Sequence, residues 1–138
     1  MGARTKARKR ALDILFESDL RGLPSGATLG ERRELAEPPV SDYTVTLVEG
    51  VAEHRAAIDA SIATYASGWT LDRMPGVDRN ILRIGVYELT YQDSVPRAVV
   101  LSEAVSLARE LSTDESPAFV NGVLARIAGV IPEQHQTH

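Results

Sequence analysis

The chain has 138 residues, no cysteine and a formal net charge of −4. This length is typical of one domain that buries a sizeable core without a metal or a disulfide. The absence of cysteine excludes disulfide scaffolds, thiol nucleophiles and thiolate metal sites.

The N-terminal segment joins a cationic stretch to an amphipathic helix. Residues 1–10, the basic arm, hold five basic and no acidic side chains, whereas the remainder has ten basic and nineteen acidic side chains, a net charge of −9. The pattern predicts a helix from about Thr5 to Arg21, with its apolar face starting at Ala11. Because the basic residues precede that face, we expect them to extend beyond the packed body and to be open to a polyanion. The alternative is a solvated, frayed terminus.

The middle of the chain has weaker patterns. Residues 22–41, rich in Gly, Pro, Ala and Glu, are interpreted as a surface connection with a short helix around 29–35. Ser41 then opens a helical region that runs to about Ala66 and is divided at Gly50 or His54. Residues 68–76 form a tight connection, which Trp69 is expected to anchor on the core.

Residues 77–90 contain the densest apolar pattern in the sequence and leave only a narrow polar strip that includes Arg79 and Arg83. A helix that is apolar around most of its girth is normally central, with neighbours on several sides. We therefore expect this helix at the centre of the fold, with Gly85 allowing one neighbour to approach closely.

Two further helices complete the predicted fold. One begins after Pro96 and reaches Leu111, and the other has Ser116 as its cap and Pro117 at its first position. Pro132 and the polar tail 133–138 end the pattern. The sequence thus predicts one all-α domain over residues 1–138, a compact bundle of about six or seven helices.

The sequence lacks the motifs that mark common enzymes. HExxH, CxxC, GxSxG and glycine-rich nucleotide loops are all absent, and His135 and His138 lie in the tail without companion ligands. We therefore expect no catalytic residues, no metal and no cofactor. No apolar run approaches the roughly 20 residues that span a bilayer, and no signal-peptide pattern precedes the first helix. A cytoplasmic, soluble protein is the expectation.

Three blocks then stand in one order: residues 4–16 (RTKARKRALDILF), 77–89 (VDRNILRIGVYEL) and 119–124 (FVNGVL). Together they resemble the NusB family of transcription antitermination factors over nearly the whole chain, with the poorest match at 22–41. The resemblance implies an all-helical, non-enzymatic RNA-binding protein. It would recognise boxA RNA in nascent ribosomal-RNA transcripts with the ribosomal protein NusE, join other Nus factors on RNA polymerase and suppress premature termination. Some relatives also form homodimers.

The resemblance also assigns candidate site residues. The RNA-binding candidates by resemblance are Arg4, Lys6, Arg8, Lys9, Arg10, Arg83 and Phe119. Arg79 is added because it stands four residues before Arg83 and forms a cationic strip with it on an otherwise apolar helix. Arginine supplies a planar fork for phosphate or stacking, and so the arginines of the arm rank first. For Arg83, an ion pair with an acidic helix is an equal alternative to RNA binding. For Phe119, the alternative is a place in the core. Phe16 and Asp78 fall near the NusE-binding surface by resemblance.

Two other classes of function are weighed against this one. A similar helical domain precedes the catalytic domain of some ribosomal-RNA cytosine methyltransferases, but this chain has no catalytic cysteine. A plain protein-interaction module, with an incidental basic arm, is the other alternative.

Overall fold

The computed structural model describes residues 2–35 and 39–132, and within these ranges it contains seven α-helices, one 3-10 turn and no strands. The helices are α1 (Ala3–Arg21), α2 (Ser25–Leu35), α3 (Asp42–Glu53), α4 (Arg55–Tyr65), α5 (Gly76–Tyr91), α6 (Arg97–Leu111) and α7 (Ser116–Val130); the 3-10 turn is Leu71–Arg73. The predicted all-α bundle is confirmed. The tail 133–138, with both of its histidines, lies outside the described residues.

Helix α1 starts earlier, and joins the core earlier, than its sequence pattern predicts. Its N-cap is Gly2 rather than Thr5, and its end at Gly22, with φ of 64°, is as predicted. Ala7 and Arg8 are both buried. The expectation that the turns before Ala11 extend beyond the packed body is therefore wrong, because these two residues continue the core stripe one turn further towards the N-terminus.

The interpretation of residues 22–41 as a surface connection is wrong for α2. Ser25, Thr28 and Leu29 are buried against the body, and the Ser18 hydroxyl donates a hydrogen bond to the Thr28 hydroxyl at 2.8 Å. Short hydroxyl side chains form most of this buried face, so the segment shows little hydrophobic periodicity. Only a paired hydroxyl can be buried there at low cost.

Helix α5 is the central helix, as predicted. Residues 81–89 are all buried, and α5 packs against α1, α3, α4, α6 and α7. Gly85 permits the predicted close approach, since a Cβ there would lie 2.8 Å from a methyl carbon of Leu124 on α7.

The helical region 42–66 divides at His54, one of the two positions predicted. His54 ends α3 and stacks on Tyr91, with ring centroids 3.9 Å apart. Gly50, the other candidate, lies inside α3, where a Cβ would lie 2.2 Å from the ring of Tyr87. Gly50 is thus a packing contact with α5 and not a helix break.

Candidate nucleic-acid and protein interface

Four of the five cations in the basic arm lie at or near the surface. Arg4 and Lys6 are exposed, and Lys9 and Arg10 are half-buried. Lys9 pairs with Glu110 at 2.6 Å, but the two side chains are 43% and 46% exposed, so this pair contributes little to stability. Because the first turn of α1 has no acidic residue, nothing in that turn compensates the positive end of the helix dipole. This end of α1 favours an anionic ligand.

Arg8 is the exception, and the expectation that it is open to a ligand is wrong. The residue is 3% exposed. Its Nε donates to both oxygens of Glu88 at 3.0 Å, and its Nη1 donates to Glu103 at 2.9 Å. Burial would lower the pKa of Arg8, but the hydrogen bond and charge of Glu88 outweigh burial and raise this pKa above its usual value. Arg8 is therefore a permanently charged tie between α1, α5 and α6, which phosphate cannot reach.

The position of Arg8 in the sequence already indicates that its side chain is buried. Arg8 stands three and four residues before Ala11 and Leu12, and seven before Leu15, which places it on the core face of the helix. A charged residue at such a position is normally paired when it is buried.

Arg79 and Arg83 likewise face acidic neighbours. Arg83, 4% exposed, donates to Asp59 from Nε at 2.8 Å and to Asp19 from Nη1 at 3.0 Å. Arg79, half-buried, donates to Asp19 from Nε at 3.1 Å and to the Leu71 carbonyl at 2.8 Å. Arg83 thus forms the ion pairs that were the alternative to RNA binding, and Arg79 is ion-paired in the same way. The cationic strip that they were predicted to form is turned inward.

Asp19, which the sequence analysis did not single out, is the acceptor that this cluster shares. Besides the two arginines it accepts a hydrogen bond from the Asn80 amide at 2.9 Å. Asp19 therefore ties α1 to α5 about three turns of α1 beyond the Arg8 pair, and the two clusters fix α1 lengthwise along α5.

We expect the replacement Asp19→Asn to lower the free energy of unfolding at pH 7 by about 1–3 kcal/mol, the range for hydrogen bonds to charged groups. Burial disfavours the Asp19 carboxylate, but the hydrogen bond from Asn80 and the charges of Arg83 and Arg79 outweigh burial and hold the pKa of Asp19 below its ordinary value. With the folded pKa below the unfolded one, this stabilisation is complete above the unfolded pKa and is lost as pH falls through the folded pKa.

Urea unfolding from pH 7 to pH 3 tests this expectation. The wild-type chain should lose stability more steeply in acid than the Asp19→Asn variant, while Asp42→Asn, which changes an exposed carboxylate, should follow the wild type. Parallel curves for wild type and Asp19→Asn would show that Asp19 is not the linked group.

Phe119 is half-buried and lies against Trp69, with ring centroids 5.8 Å apart and planes tilted by 49°. Trp69 is 48% exposed, so the expectation that it anchors the connection on the core is wrong. The two rings border a cavity of about 310 Å³ that is otherwise lined by Pro75, Asp78, Thr113, Glu115 and Ser116. Aromatic faces beside polar groups form the kind of surface on which an unpaired base stacks.

Asp78 is 3% exposed and is not a surface residue. Its two carboxylate oxygens accept hydrogen bonds from the hydroxyls of Ser112 at 2.5 Å and Ser116 at 2.8 Å. Asp78 thus fixes the turn between α6 and α7, and it also lines the cavity beside Phe119. Its assignment to the protein-partner surface is corrected accordingly.

Phe16 borders a groove with a volume of about 550 Å³. Leu12, Val77 and Leu111 complete its apolar walls, and Lys6, Lys9, Arg10 and Asp13 line its polar edge. Leu111 is well exposed for a leucine. An apolar groove with a cationic edge suits a protein segment that carries apolar and acidic side chains. Three of the four edge residues belong to the basic arm, so the groove and the arm adjoin.

Among residues 2–35 and 39–132, no helix is long and apolar enough to cross a membrane. The same ranges contain no cluster of three or more His, Cys, Asp or Glu side chains arranged to hold a metal ion.

Comparisons with known proteins place this geometry in context. The family model described as the NusB family matches residues 5–129. The transcription antitermination protein NusB of Nocardioides sp. is 59% identical over 127 residues, which cover 92% of this chain and 94% of the relative. The solved T. maritima NusB structure matches with a TM-score of 0.88 at 30% identity, over 99% of both chains. A chain in a solved complex of antitermination factors NusB and NusE with dsRNA matches with a TM-score of 0.80 at 32% identity, covering 91% of this chain and 96% of that one.

Proposed function

Because the chain belongs to the NusB family of transcription antitermination proteins, we propose that it recognises boxA RNA in nascent ribosomal-RNA transcripts together with the ribosomal protein NusE. The bound pair would join other Nus factors on RNA polymerase in the cytoplasm and prevent premature termination. The family acts by binding RNA and not by catalysis, in agreement with the absence of catalytic motifs in this sequence.

The observation that carries the proposal is the cationic surface of α1 directly beside an apolar groove. Arg4 and Lys6 supply positive charge in the first turn of α1, where an anion is favoured, and Lys9 and Arg10 continue the positive charge further along the helix. Contacts of this kind neutralise phosphates and release their counterions, which makes binding depend on salt. Phe119 adds a stacking face for an unpaired base. Arg8, Arg79 and Arg83 take no direct part in this proposal because carboxylates enclose them.

The groove beside Phe16 is the proposed NusE surface. Its walls are apolar and its edge is formed by the arm, so a protein seated there would lie next to RNA on the arm. This adjacency explains why one partner would strengthen the binding of the other. A second copy of the chain in the same groove would compete with NusE, and sedimentation with and without NusE would reveal such a homodimer.

A titration of single-stranded boxA-type RNA against the full chain, with and without NusE, tests the proposal. Binding should tighten with NusE and weaken steeply with salt. The double variant Arg4→Ala/Lys6→Ala should reduce the slope of log affinity against log salt by about 1.4, at roughly 0.7 per phosphate contact. Arg33→Ala/Arg73→Ala removes two exposed cations elsewhere and should change affinity much less. Equal losses from both variants would indicate a non-specific charge effect and would contradict the proposed site.

The protein surface has its own matched pair. Leu111→Ser, at the end of α6, alters the groove. The control Val130→Ser alters an exposed apolar residue at the end of α7 that does not line the groove. We expect only Leu111→Ser to reduce the gain in RNA affinity that NusE provides, with RNA binding by the chain alone unchanged. An undiminished gain would remove the groove from the proposal.

A further inference from the structure

The first turn of α1 is held in place by side chains, since its N-cap Gly2 supplies no capping group. Thr5 donates to Glu103 on α6 at 2.5 Å. Arg4, which is exposed, lies over the ring of Tyr43, with its guanidinium carbon 4.6 Å from the ring centroid. Tyr43 is at the start of α3. An arginine of the proposed RNA surface therefore lies over an aromatic side chain from another helix, at cation–π distance.

The ring of Tyr43 is itself fixed at its far end. Its hydroxyl donates a hydrogen bond to Glu88, the carboxylate that also receives Arg8. Burial and the adjacent Glu88 raise the pKa of the Tyr43 hydroxyl, so it remains a donor at neutral pH. The guanidinium of Arg8 lies 5.8 Å from the same ring. Tyr43 thus stands between an exposed and a buried arginine and connects the arm to the ion pair beneath it.

We propose that Tyr43 is a positioning residue for RNA binding: its ring holds Arg4 in a fixed orientation at the end of the basic arm. The inference rests on the proposed function, since it concerns the same RNA surface. The N–H donors of a guanidinium lie in its plane. When one face rests on a ring, the donors at the edge remain directed outward, where a phosphate can accept two of them. A held arginine also loses less conformational freedom on binding than a free one.

A double-mutant cycle between positions 4 and 43 tests the proposal, with the affinity of the full chain for single-stranded boxA-type RNA as the readout. Tyr43→Leu should weaken binding about two- to fivefold, the affinity equivalent of a cation–π contact. Tyr43→Phe keeps the ring and should bind within about twofold of the wild type. In an Arg4→Ala background, Tyr43→Leu should cause no further loss, because no guanidinium remains to be positioned.

Each alternative outcome has a distinct meaning. If Tyr43→Leu weakens binding equally with and without Arg4, the ring acts otherwise and the inference is wrong. If Tyr43→Phe loses as much as Tyr43→Leu, the hydroxyl and not the ring is responsible, which also overturns it. If Arg4→Ala weakens binding but Tyr43→Leu does not, the inference fails and the proposed function stands. If neither Arg4→Ala nor removal of the other arm cations affects binding, both fail.

A measurement on the wild-type chain covers the case in which Tyr43→Leu does not fold. The side-chain protons of an arginine stacked on a ring experience its ring current and shift upfield in the NMR spectrum. We expect this shift for Arg4 in the wild type and in Tyr43→Phe. Random-coil shifts for Arg4 in the folded wild-type chain would overturn the proposal.

Discussion

Replacement of Arg8 by alanine is expected to lower the free energy of unfolding by about 3–5 kcal/mol, the usual cost of removing one partner from a buried ion pair. The Arg8 guanidinium is the cation bound by Glu88, whose side chain is only 2% exposed, and it also reaches Glu103. Without the Arg8 guanidinium, the Glu88 carboxylate would stay buried without that cation, and among its described contacts the Tyr43 hydroxyl would be the remaining donor. Urea unfolding monitored by circular dichroism measures the change.

The neighbouring residue provides the matched control. Lys9→Ala removes the same charge from the next position of α1, but its pair with Glu110 is exposed, so the expected loss is below about 1 kcal/mol. Similar losses from both variants would mean that the Arg8 pair contributes no more than a surface contact. The contrast also affects RNA experiments, because an Arg8→Ala variant must be assayed where it is shown to be folded.

Replacement of Asp78 by alanine is expected to lower the free energy of unfolding by about 2–4 kcal/mol. Two hydrogen bonds to a charged acceptor would be lost, and the buried hydroxyl of Ser116 would lose its ionic partner. The turn before α7 would loosen, and with it the position of Phe119. The fluorescence of Trp69, the single tryptophan of the chain, should report this change because the ring lies against Phe119.

Asp114→Ala is the control for this second expectation. Asp114 is exposed and close to the same turn, and its replacement should change stability by less than about 0.5 kcal/mol. If Asp78→Ala is as mild as Asp114→Ala, the carboxylate does not hold the turn. Under the expected result, a loss of partner or RNA binding in an Asp78 variant would be an indirect effect of the loosened turn.

The sequence predicted those features of the fold that depend on local pattern. The end of α1 at Gly22, the central position of α5 and the close approach at Gly85 follow from apolar periodicity and glycine geometry. A short helix was predicted around 29–35, but the start of α2 at Ser25 and its burial were not, because hydroxyl side chains form most of its buried face. A hydroxyl pairs with a partner that only the tertiary structure supplies.

The candidate site was predicted less completely, for the same physical reason. The sequence does not distinguish an arginine or lysine that binds phosphate from one that forms an ion pair with a carboxylate far along the chain. The acceptors of Arg8 are Glu88 and Glu103, 80 and 95 residues further along the chain. Periodicity shows which face of a helix is buried, but it does not show which charges meet there. The sequence therefore overestimated how many cations of the arm are exposed.

The burial of Ala7 and Arg8 changes how the N-terminus can be handled experimentally. A deletion of residues 1–10, chosen to remove the cationic segment, would also remove a core alanine and the counterion of Glu88. Such a truncation would mix loss of ligand contacts with partial unfolding. Side-chain replacements at Arg4, Lys6, Lys9 and Arg10 remove the charge and leave the helix backbone in place, and an affinity tag is best attached ahead of Gly2, before the first helical turn. The cationic segment is part of the folded body and not a detachable tail.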